Sequence, residues 1–467
     1  MAHGNGPGAG SDRVSPPAGG VGEIRSTRRE LLRGSLGAAI LLAGGRAFAG
    51  TTGARAAPGA LGPYFVFGTP NPSTADDPSL IAGAATTTAP LAHRLVTPPL
   101  RSRDRSRLAL VSVEDVGGSA GVIATVVDTR SGAVAASGTL RLADAPDALI
   151  LVTPALSPDA TTLCLAISIT TPTNWRVLSK LNPVTGATES RRVATWVSSH
   201  AIAYFDTRRQ SFAGPFVLDD APSLASVNVA STASDFCVWT MAEPAAVRGT
   251  KENPKPTPIP SLSIYPFGSG KPRVTTPAPA VWPVNREPTA TLANGNFVRL
   301  VADSTLEVYS ARDGASQSRV LSPFDVSTTR PTRTRMDQRR DGSLFISNPG
   351  LGQALLLDGA NPAAVRARVT PDVREQLAGS HAPQAQLSDD GNTLYALGPN
   401  GGVDSYLAAS SRRARSIATD RQFTALYRLS SGGLAATSLT SPNLTFFDDS
   451  LQQVGTADTN FYIDGVF

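Results

Sequence analysis

Pairs of turn-forming residues recur at nearly constant spacing along the second half of the chain. Asn294-Gly295, Asp341-Gly342, Asp390-Gly391 and Gly432-Gly433 each separate two short apolar runs, and glycines 295, 342, 391 and 432 lie 47, 49 and 41 residues apart. Such pairs supply the positive φ that a tight β-hairpin needs. The spacing therefore predicts a repeated unit of several antiparallel strands. A single unit of this kind cannot cover its own apolar faces, so the units must pack on one another.

Seven such units can be found in the sequence. The clearest runs from His381 to Leu407 as strand, Asp-Gly turn, strand, Gly-rich loop and strand. The same order recurs from Thr153 to Ala166, with Trp175 to Leu181 as a third strand. Weaker copies cover 108–130, 227–267, 290–314, 339–358 and 427–448. We find no long segment with helical periodicity, so an all-β fold is predicted.

Three segments resemble the blade sequences of YVTN and WD40-like β-propellers. They are Leu387-Ser-Asp-Asp-Gly-Asn-Thr-Leu-Tyr395, Leu156-Ser-Pro-Asp159 and Val127-Asp-Thr-Arg-Ser-Gly-Ala-Val134. The resemblance, which covers roughly Leu108 to Ala457, implies a seven-bladed propeller of four-stranded antiparallel blades around a central channel. We expect residues 63–467 to form this single domain, with Phe461–Asp464 or Tyr64–Phe67 closing the ring. The alternative is a β-sandwich or two smaller β domains.

The first 49 residues have the features of an export signal. Residues 1–24 are rich in Gly, Pro and Ser, which predicts disorder, and Arg28-Arg29 precede an apolar stretch at 36–45 that is too short to span a membrane. Ala47-Phe48-Ala49 offers a cleavage site, and Ala54-Arg55-Ala56 is a second candidate. The arginine pair resembles a twin-arginine signal, which implies export of a folded chain through the twin-arginine translocase. We predict a leader (1–49), a linker (50–62) and no membrane anchor after cleavage.

The net charge argues against nucleic acid as a partner. The chain carries +5, but the leader holds six basic and three acidic residues, which leaves 36 basic and 34 acidic residues after Ala49. Two basic runs, Arg101–Arg107 and Arg330–Arg340, lack the interleaved aromatic residues of a single-strand binding surface. We expect these arginines to be solvated or to lie on blade rims.

Few residues in the sequence point to a particular chemistry. His381 and His200 each precede a strand and are the candidates for the channel mouth, the alternative being capping or loop histidines. Neither is accompanied by acids at metal-ligand spacing, so no metal and no cofactor is predicted. Cys164 and Cys237 occupy comparable second-strand positions in neighbouring units. Because strands of the same rank lie too far apart for a disulfide, we expect buried free thiols.

Two functions are compatible with the sequence. The first, which the small number of acids and histidines favours, is an exported, extracellular or envelope-associated module that binds a ligand or protein through its loop face. The second is a propeller enzyme of the lactonase, lyase or oxidoreductase type with its site at the central channel. Three or more His, Asp or Glu converging on the channel would favour the enzyme. The Pro-rich segment Glu243–Pro260 is expected to be a lip over the channel or an idle surface loop.

Overall fold

The computed structural model describes the greater part of the chain after residue 62, and all of the described residues belong to one compact unit. The described ranges are 63–69, 79–84, 87–92, 95–116, 119–142, 148–181, 188–218, 227–240, 261–277, 289–301, 305–321, 335–348, 353–371, 383–419, 422–438, 441–459 and 462–467. The predicted leader, with Arg28, Arg29, Ala47 and Ala49, lies outside them, as do His381 and the segment 243–260. Within these ranges there is no helix long and apolar enough to cross a membrane.

The described strands form eight four-stranded antiparallel sheets, which we call blades. Three strands come first in the chain: β1 (Tyr64–Thr69), β2 (Ser79–Ala84) and β3 (Thr87–Ala92). Blade 1 contains β4 (Leu100–Arg101), β5 (Arg107–Val116), β6 (Ser119–Asp128) and β7 (Val134–Arg141). Blade 2 contains β8 (Leu149–Leu156), β9 (Thr162–Leu181), β10 (Thr188–Asp206) and β11 (Ser211–Val217). Blade 3 contains β12 (Val227–Ser231), β13 (Asp235–Thr240), β14 (Ser261–Pro266) and β15 (Val274–Pro277).

The remaining blades follow the same order. Blade 4 contains β16 (Thr289–Thr291), β17 (Phe297–Val301), β18 (Thr305–Tyr309) and β19 (Ser316–Leu321). Blade 5 contains β20 (Arg335–Gln338), β21 (Leu344–Asn348), β22 (Gln353–Leu357) and β23 (Val365–Val369). Blade 6 contains β24 (Ala385–Leu387), β25 (Thr393–Leu397), β26 (Val403–Leu407) and β27 (Arg412–Ile417). Blade 7 contains β28 (Ala425–Arg428), β29 (Leu434–Ser438), β30 (Ser441–Phe447) and β31 (Gln453–Asp458), and β32 (Tyr462–Val466) is last.

The blades are arranged as a β-propeller. In blades 1 to 7 the strands are hydrogen-bonded in chain order, with the first strand innermost. The innermost strands of neighbouring blades contact each other in two series, β4-β8-β12-β16-β20 and β24-β28-β32, where β32 is the innermost strand of the eighth blade. All eight first strands also line one cavity. The predicted all-β propeller of four-stranded antiparallel blades is therefore confirmed, but the ring has eight blades where seven were expected.

The eighth blade is assembled from both ends of the chain. Its strand order is β32-β1-β2-β3, and the two segments proposed as alternatives for closing the ring pair with each other. The Phe65 amide donates to the Phe467 carbonyl at 3.0 Å, and the Phe467 amide donates to the Phe65 carbonyl at 2.9 Å. Because the four strands of this blade are not contiguous, they leave no repeat in the sequence, which is why the count of seven was one too low.

Blade 2 differs from the prediction in where its strands begin and end. The runs expected as its second and third strands, Thr162–Ala166 and Trp175–Leu181, lie in the single 20-residue strand β9, which pairs with the 19-residue strand β10. Its innermost strand β8 pairs with β9 only as far as Thr170, so the β9–β10 hairpin continues past the innermost strand. The segments 199–206 and 212–218 lie largely in the third and fourth strands of this blade.

A serine and an aspartate shape the turn between the first two strands in three blades. In the turn of blade 2 the Ser157 hydroxyl donates to Asp159 at 2.7 Å and accepts from the Thr162 amide at 2.9 Å. Ser388 and Asp390 make the same contacts in blade 6, and Ser102 and Asp104 make them in blade 1. The side chains thus satisfy backbone donors that the sheet ladder leaves unpaired at the turn.

Apolar side chains fill the space between neighbouring blades. Between blades 3 and 4, the ring of the fully buried Trp239 packs edge-on at 5.5 Å from Phe297 and at 5.6 Å from Tyr309. Arg299 and Glu307 are buried beside this cluster and form an ion pair at 2.8 Å. Similar apolar clusters occur around the ring. Each blade therefore buries its faces against its neighbours, and the first strands are held at fixed positions around the channel.

Candidate functional site

The central channel contains a cavity of about 500 Å³. Residues from the first strand of every blade line it, from β4 in blade 1 to β32 in blade 8. Small-molecule sites in proteins usually have volumes of about 300–1,000 Å³. They are also largely preformed, as is a channel enclosed by strands. We therefore take this central cavity as the candidate functional site.

A turn of blade 1, residues 102–106, closes one end of the channel. Arg103 Nε donates to the Arg339 carbonyl of blade 5 at 3.3 Å, and Arg105 Nη1 pairs with the Asp389 carboxylate of blade 6 at 2.6 Å. In an eight-membered ring, blade 5 lies opposite blade 1, so the Arg103 side chain reaches across the channel. The contacted residues lie in or beside the turns between the first and second strands of their blades. The cavity consequently has a floor at that end.

The backbone of this floor turn is held by its own side chains. The Asp104 carboxylate accepts from the Ser102 hydroxyl at 2.7 Å and from the Ser106 amide at 3.0 Å, and Arg105 has a φ of 63°. Burial raises the pKa of Asp104, but the hydrogen bonds from these serines together bring it below its ordinary value. The turn therefore has a conformation fixed by its own hydrogen bonds, and it places an arginine on each side of Asp104.

Arginine dominates the charge of the cavity. Five guanidinium groups belong to the described lining, those of Arg101, Arg103, Arg105, Arg335 and Arg428, whereas Asp337 is the one carboxylate among the lining residues that the structure describes. Arg105 and Arg428 share the Asp389 carboxylate, at 2.6 and 3.2 Å, and Arg428 also pairs with Asp449. The lining is consequently positive even after these pairs are taken into account.

Arg101 lines the cavity, and the described carboxylates that act on its charge, Asp337 and Asp389, do so without a direct ion pair. Its Nη2 donates to the Arg428 carbonyl at 3.0 Å, and its guanidinium carbon lies 5.1 Å from the centre of the Phe467 ring. Its buried Nε has no hydrogen-bond partner. Burial, reinforced by repulsion from Arg105, lowers the pKa of Arg101 to about 9. The site therefore holds a cation that lacks a full counter-charge from the described chain.

Hydroxyl and amide groups complete the polar part of the wall. The Thr289 hydroxyl donates to the Val229 carbonyl at 2.6 Å, and the Gln386 amide donates to the Leu426 carbonyl at 3.0 Å, so each joins two neighbouring blades. Gln338, which lines the cavity from β20, has a buried Nε2 without a partner. The wall thus combines side chains that hold the ring together with a donor that is still available.

The two histidines proposed for the channel mouth have different outcomes. His381 lies outside the described residues. His200 is buried on β10, the third strand of blade 2, where it pairs with Ser168 of β9, and it does not line the cavity. Burial lowers its pKa. The position of a histidine before an apolar run could not distinguish a first strand from a third.

Four arginines of the two basic runs were assigned to the wrong environment. Arg101, Arg103 and Arg105, predicted to be solvated or on blade rims, line the cavity, and so does Arg335 from the second run. The signal that could have placed the first run was the spacing Ser102-x-Asp104, which matches Ser157-x-Asp159 in the first turn of blade 2. That match identifies 102–106 as a turn after a first strand, next to the channel.

The two cysteines are buried free thiols, as predicted. Cys164 Sγ lies 3.7 Å from the Ser231 hydroxyl of blade 3, and burial raises the pKa of both thiols. Across the part of the chain that the structure describes, no three His, Cys, Asp or Glu side chains are grouped closely enough to hold a metal ion.

Comparison with known proteins returns structural neighbours only. No protein-family model matches the sequence, and no curated protein is significantly similar to it. A structure described as dihydro-heme d1 dehydrogenase NirN in complex with DHE is 13% identical, with a TM-score of 0.47, over 86% of this chain and 74% of that one. Apo AztD from Citrobacter koseri is 10% identical, with a TM-score of 0.46, over 87% of this chain and 97% of that one. At these scores the propeller assignment rests on the sheet topology.

Proposed function

We propose that this chain is an exported β-propeller that binds a small molecule in its central cavity. The observation that carries the proposal is the cavity itself, which all eight first strands enclose and which the 102–106 turn closes at one end. A channel with a floor can retain a small molecule that enters from the opposite face. Its volume of about 500 Å³ suits a metabolite-sized ligand.

The chemistry of the lining favours binding over catalysis. Guanidinium, amide and hydroxyl groups hold a ligand by donating hydrogen bonds, and guanidinium groups do not exchange protons near neutral pH. Even Arg101, with its pKa lowered to about 9, remains a cation at pH 7. The residues that line the described cavity therefore support binding, and the propeller enzyme is the weaker of the two candidate functions.

Export is supported by the order of features in the leader. The arginine pair, the short apolar stretch and the Ala-x-Ala site follow one another as a twin-arginine signal requires. A chain that folds before export also keeps its thiols reduced during folding, which fits the buried free thiols of Cys164 and Cys237. We therefore place the binding module outside the cytoplasm, with the translocase as its transient partner.

A cavity-filling substitution tests the proposal, and the probe is a metabolite extract of the cells that produce the protein. Asp337 lines the cavity and is solvent-exposed, so Asp337→Trp adds bulk there without entering an apolar core, and Asp337→Asn is the size-matched control. Each purified chain is dialysed against a metabolite extract of those cells, and retained molecules are identified by mass spectrometry. We expect wild type and D337N to retain at least one metabolite that D337W loses. The proposal is contradicted if D337W retains the same molecules as wild type, or if none of the three chains retains a metabolite.

A further inference from the structure

Three buried donors of the residues that line the central cavity have no acceptor in the described chain. They are Arg101 Nε, Gln338 Nε2 and Arg428 Nε, on β4, β20 and β28. The nitrogen of each is a donor near neutral pH and cannot accept a hydrogen bond. Buried donors are nearly always satisfied in native proteins, by protein, water or ligand. Because all three belong to residues of the cavity lining, the acceptor that satisfies Arg101 and Gln338, on two different blades, is expected in the cavity.

The charge of Arg101 specifies the kind of acceptor. The carboxylates near Arg101 are already engaged, since Asp389 is shared by Arg105 and Arg428 and Asp449 pairs with Arg428. The Asp337 carboxylate acts on Arg101, but it acts also on Arg105 and Arg335. The Arg428 carbonyl and the face of the Phe467 ring stabilise a cation by their dipole and quadrupole but do not neutralise it. A buried cation is stable when it is paired and hydrogen-bonded. An anionic ligand provides both.

We propose that the ligand is a small oxyanion, a carboxylate or phosphate bearing molecule, held at Arg101 and Gln338; this rests on the proposed binding function of the same cavity. A guanidinium group presents parallel N–H donors that match two oxygens of such an anion, and the Gln338 amide supplies a further donor. The arginines of the floor, Arg103 and Arg105, raise the local positive potential and attract the anion toward that end.

Asp337 limits how much negative charge the site accepts. It precedes Gln338 on β20, and its carboxylate acts electrostatically on Arg101, Arg105 and Arg335. A carboxylate in the same cavity repels an anionic ligand, so its neutralisation strengthens oxyanion binding. Substitutions at these two neighbouring residues should therefore change the affinity for the anion in opposite directions, because Gln338 donates a hydrogen bond to the ligand and Asp337 repels it.

Titration calorimetry on the full chain tests this assignment. The probes are citrate, inorganic phosphate and, as a neutral molecule, glucose. The variants are Arg101→Gln, Gln338→Leu and Asp337→Asn, with Arg107→Gln as the control. Arg107 belongs to the same basic run and pairs with Asp128 but does not line the cavity, so its loss changes the net charge by the same amount. Melting of each variant is recorded, and Gln338→Leu carries the test should Arg101→Gln fail to fold.

We expect one or both anions to bind wild type and R107Q alike at one site per chain. Binding weakens by about tenfold or more in R101Q and about threefold or more in Q338L, because hydrogen bonds to charged groups are lost, and it tightens in D337N. The citrate and phosphate arms distinguish the carboxylate from the phosphate. Equal weakening in R107Q, or no anion binding at all, overturns the oxyanion assignment. Retention of a neutral metabolite that D337W loses would, in that case, leave the binding function standing.

Discussion

Arg105 and Asp389 lie 284 residues apart in the sequence and form an ion pair at 2.6 Å that holds the floor turn of blade 1 against blade 6. The Arg105 side chain is 12% exposed and Asp389 is 37% exposed, so the pair is only partly screened by solvent. Burial raises the pKa of Asp389, but the charges of Arg105 and Arg428 together bring it below its ordinary value. One carboxylate thus links three blades beneath the cavity.

Removing this carboxylate is expected to loosen the floor. Asp389→Asn keeps the size of the side chain but leaves Arg105 and Arg428 without their shared counter-charge, and we expect a loss of about 1–2 kcal/mol in the free energy of unfolding. Chemical denaturation measures it. In a double-mutant cycle with Arg105→Gln, the two losses should be less than additive, because both substitutions break the same pair. Strict additivity would show that the contact contributes nothing.

Acid should weaken the blade turns. The pKa values of Asp159 and Asp390 lie below the ordinary 3.8. Burial raises the pKa of Asp159, but the hydrogen bonds from Ser157 and Thr161 together outweigh that effect. The pKa of Asp390 is lowered chiefly by the hydrogen bond from Ser388. A depressed folded-state pKa contributes stability above the unfolded value that is lost as pH falls through the folded value. We therefore expect the free energy of unfolding to hold from pH 7 to 5 and to fall below about pH 4.

The matched variant for the acid response is Asp159→Asn. It should be less stable than wild type at pH 7 by about 1 kcal/mol, because the amide is a weaker acceptor, and its stability should fall less steeply between pH 4 and pH 3. Denaturant midpoints at pH 7, 5, 4 and 3 give both quantities. A parallel pH profile for the variant and wild type would mean that this turn does not contribute to the acid response.

Ring closure should depend on the contact between the two ends of the chain. Phe65 is fully buried on β1, beside β32, so Phe65→Ala should cost about 3–5 kcal/mol through the cavity that it leaves. Val217→Ala, at a side chain that is 63% exposed, is the control and should change stability by less than about 0.5 kcal/mol. The midpoints of thermal unfolding of the two variants and of wild type are compared. Equal midpoints for the two variants would contradict closure through β1 and β32.

Export should require both leader arginines. Replacement of Arg28 and Arg29 by Lys keeps the charge but removes the arginine pair, so we expect the full-length precursor to accumulate inside the cell while Arg25→Lys is exported normally. Cell fractionation and amino-terminal sequencing provide the readout, and the exported chain should begin at Gly50. Normal export of the double variant would rule out the twin-arginine route.

The local features of the fold could be predicted from the sequence, and the long-range ones could not. The Asn-Gly, Asp-Gly and Gly-Gly pairs correctly marked the hairpin turns of blades 4 to 7, because positive φ is a property of the turn residues themselves. The eighth blade was missed because its strands come from opposite ends of the chain. The extension of β9 was missed because Thr170 to Asn174 resembles a turn in composition but continues as a strand.

The candidate site was missed for a similar reason. The environment of Arg101, Arg103 and Arg105 depends on contacts with residues 327, 236 and 284 positions away. A run of charged residues ordinarily indicates a solvated surface, and only closure of the ring turns this one toward the channel. The histidines were predicted to lie at the channel because of their chemistry alone, whereas the cavity is lined by arginine, amide and hydroxyl groups.

Anomalous diffraction locates a bound oxyanion directly and so tests the proposed anion site at Arg101. Crystals of the chain soaked in selenate, a tetrahedral oxyanion, should show an anomalous selenium peak in the central cavity with an oxygen within about 3.5 Å of Arg101 Nε. The same soak of R101Q crystals should lack that peak. Selenium peaks confined to surface arginines such as Arg412, which is exposed on the outer strand of blade 6, would contradict an anion site in the cavity.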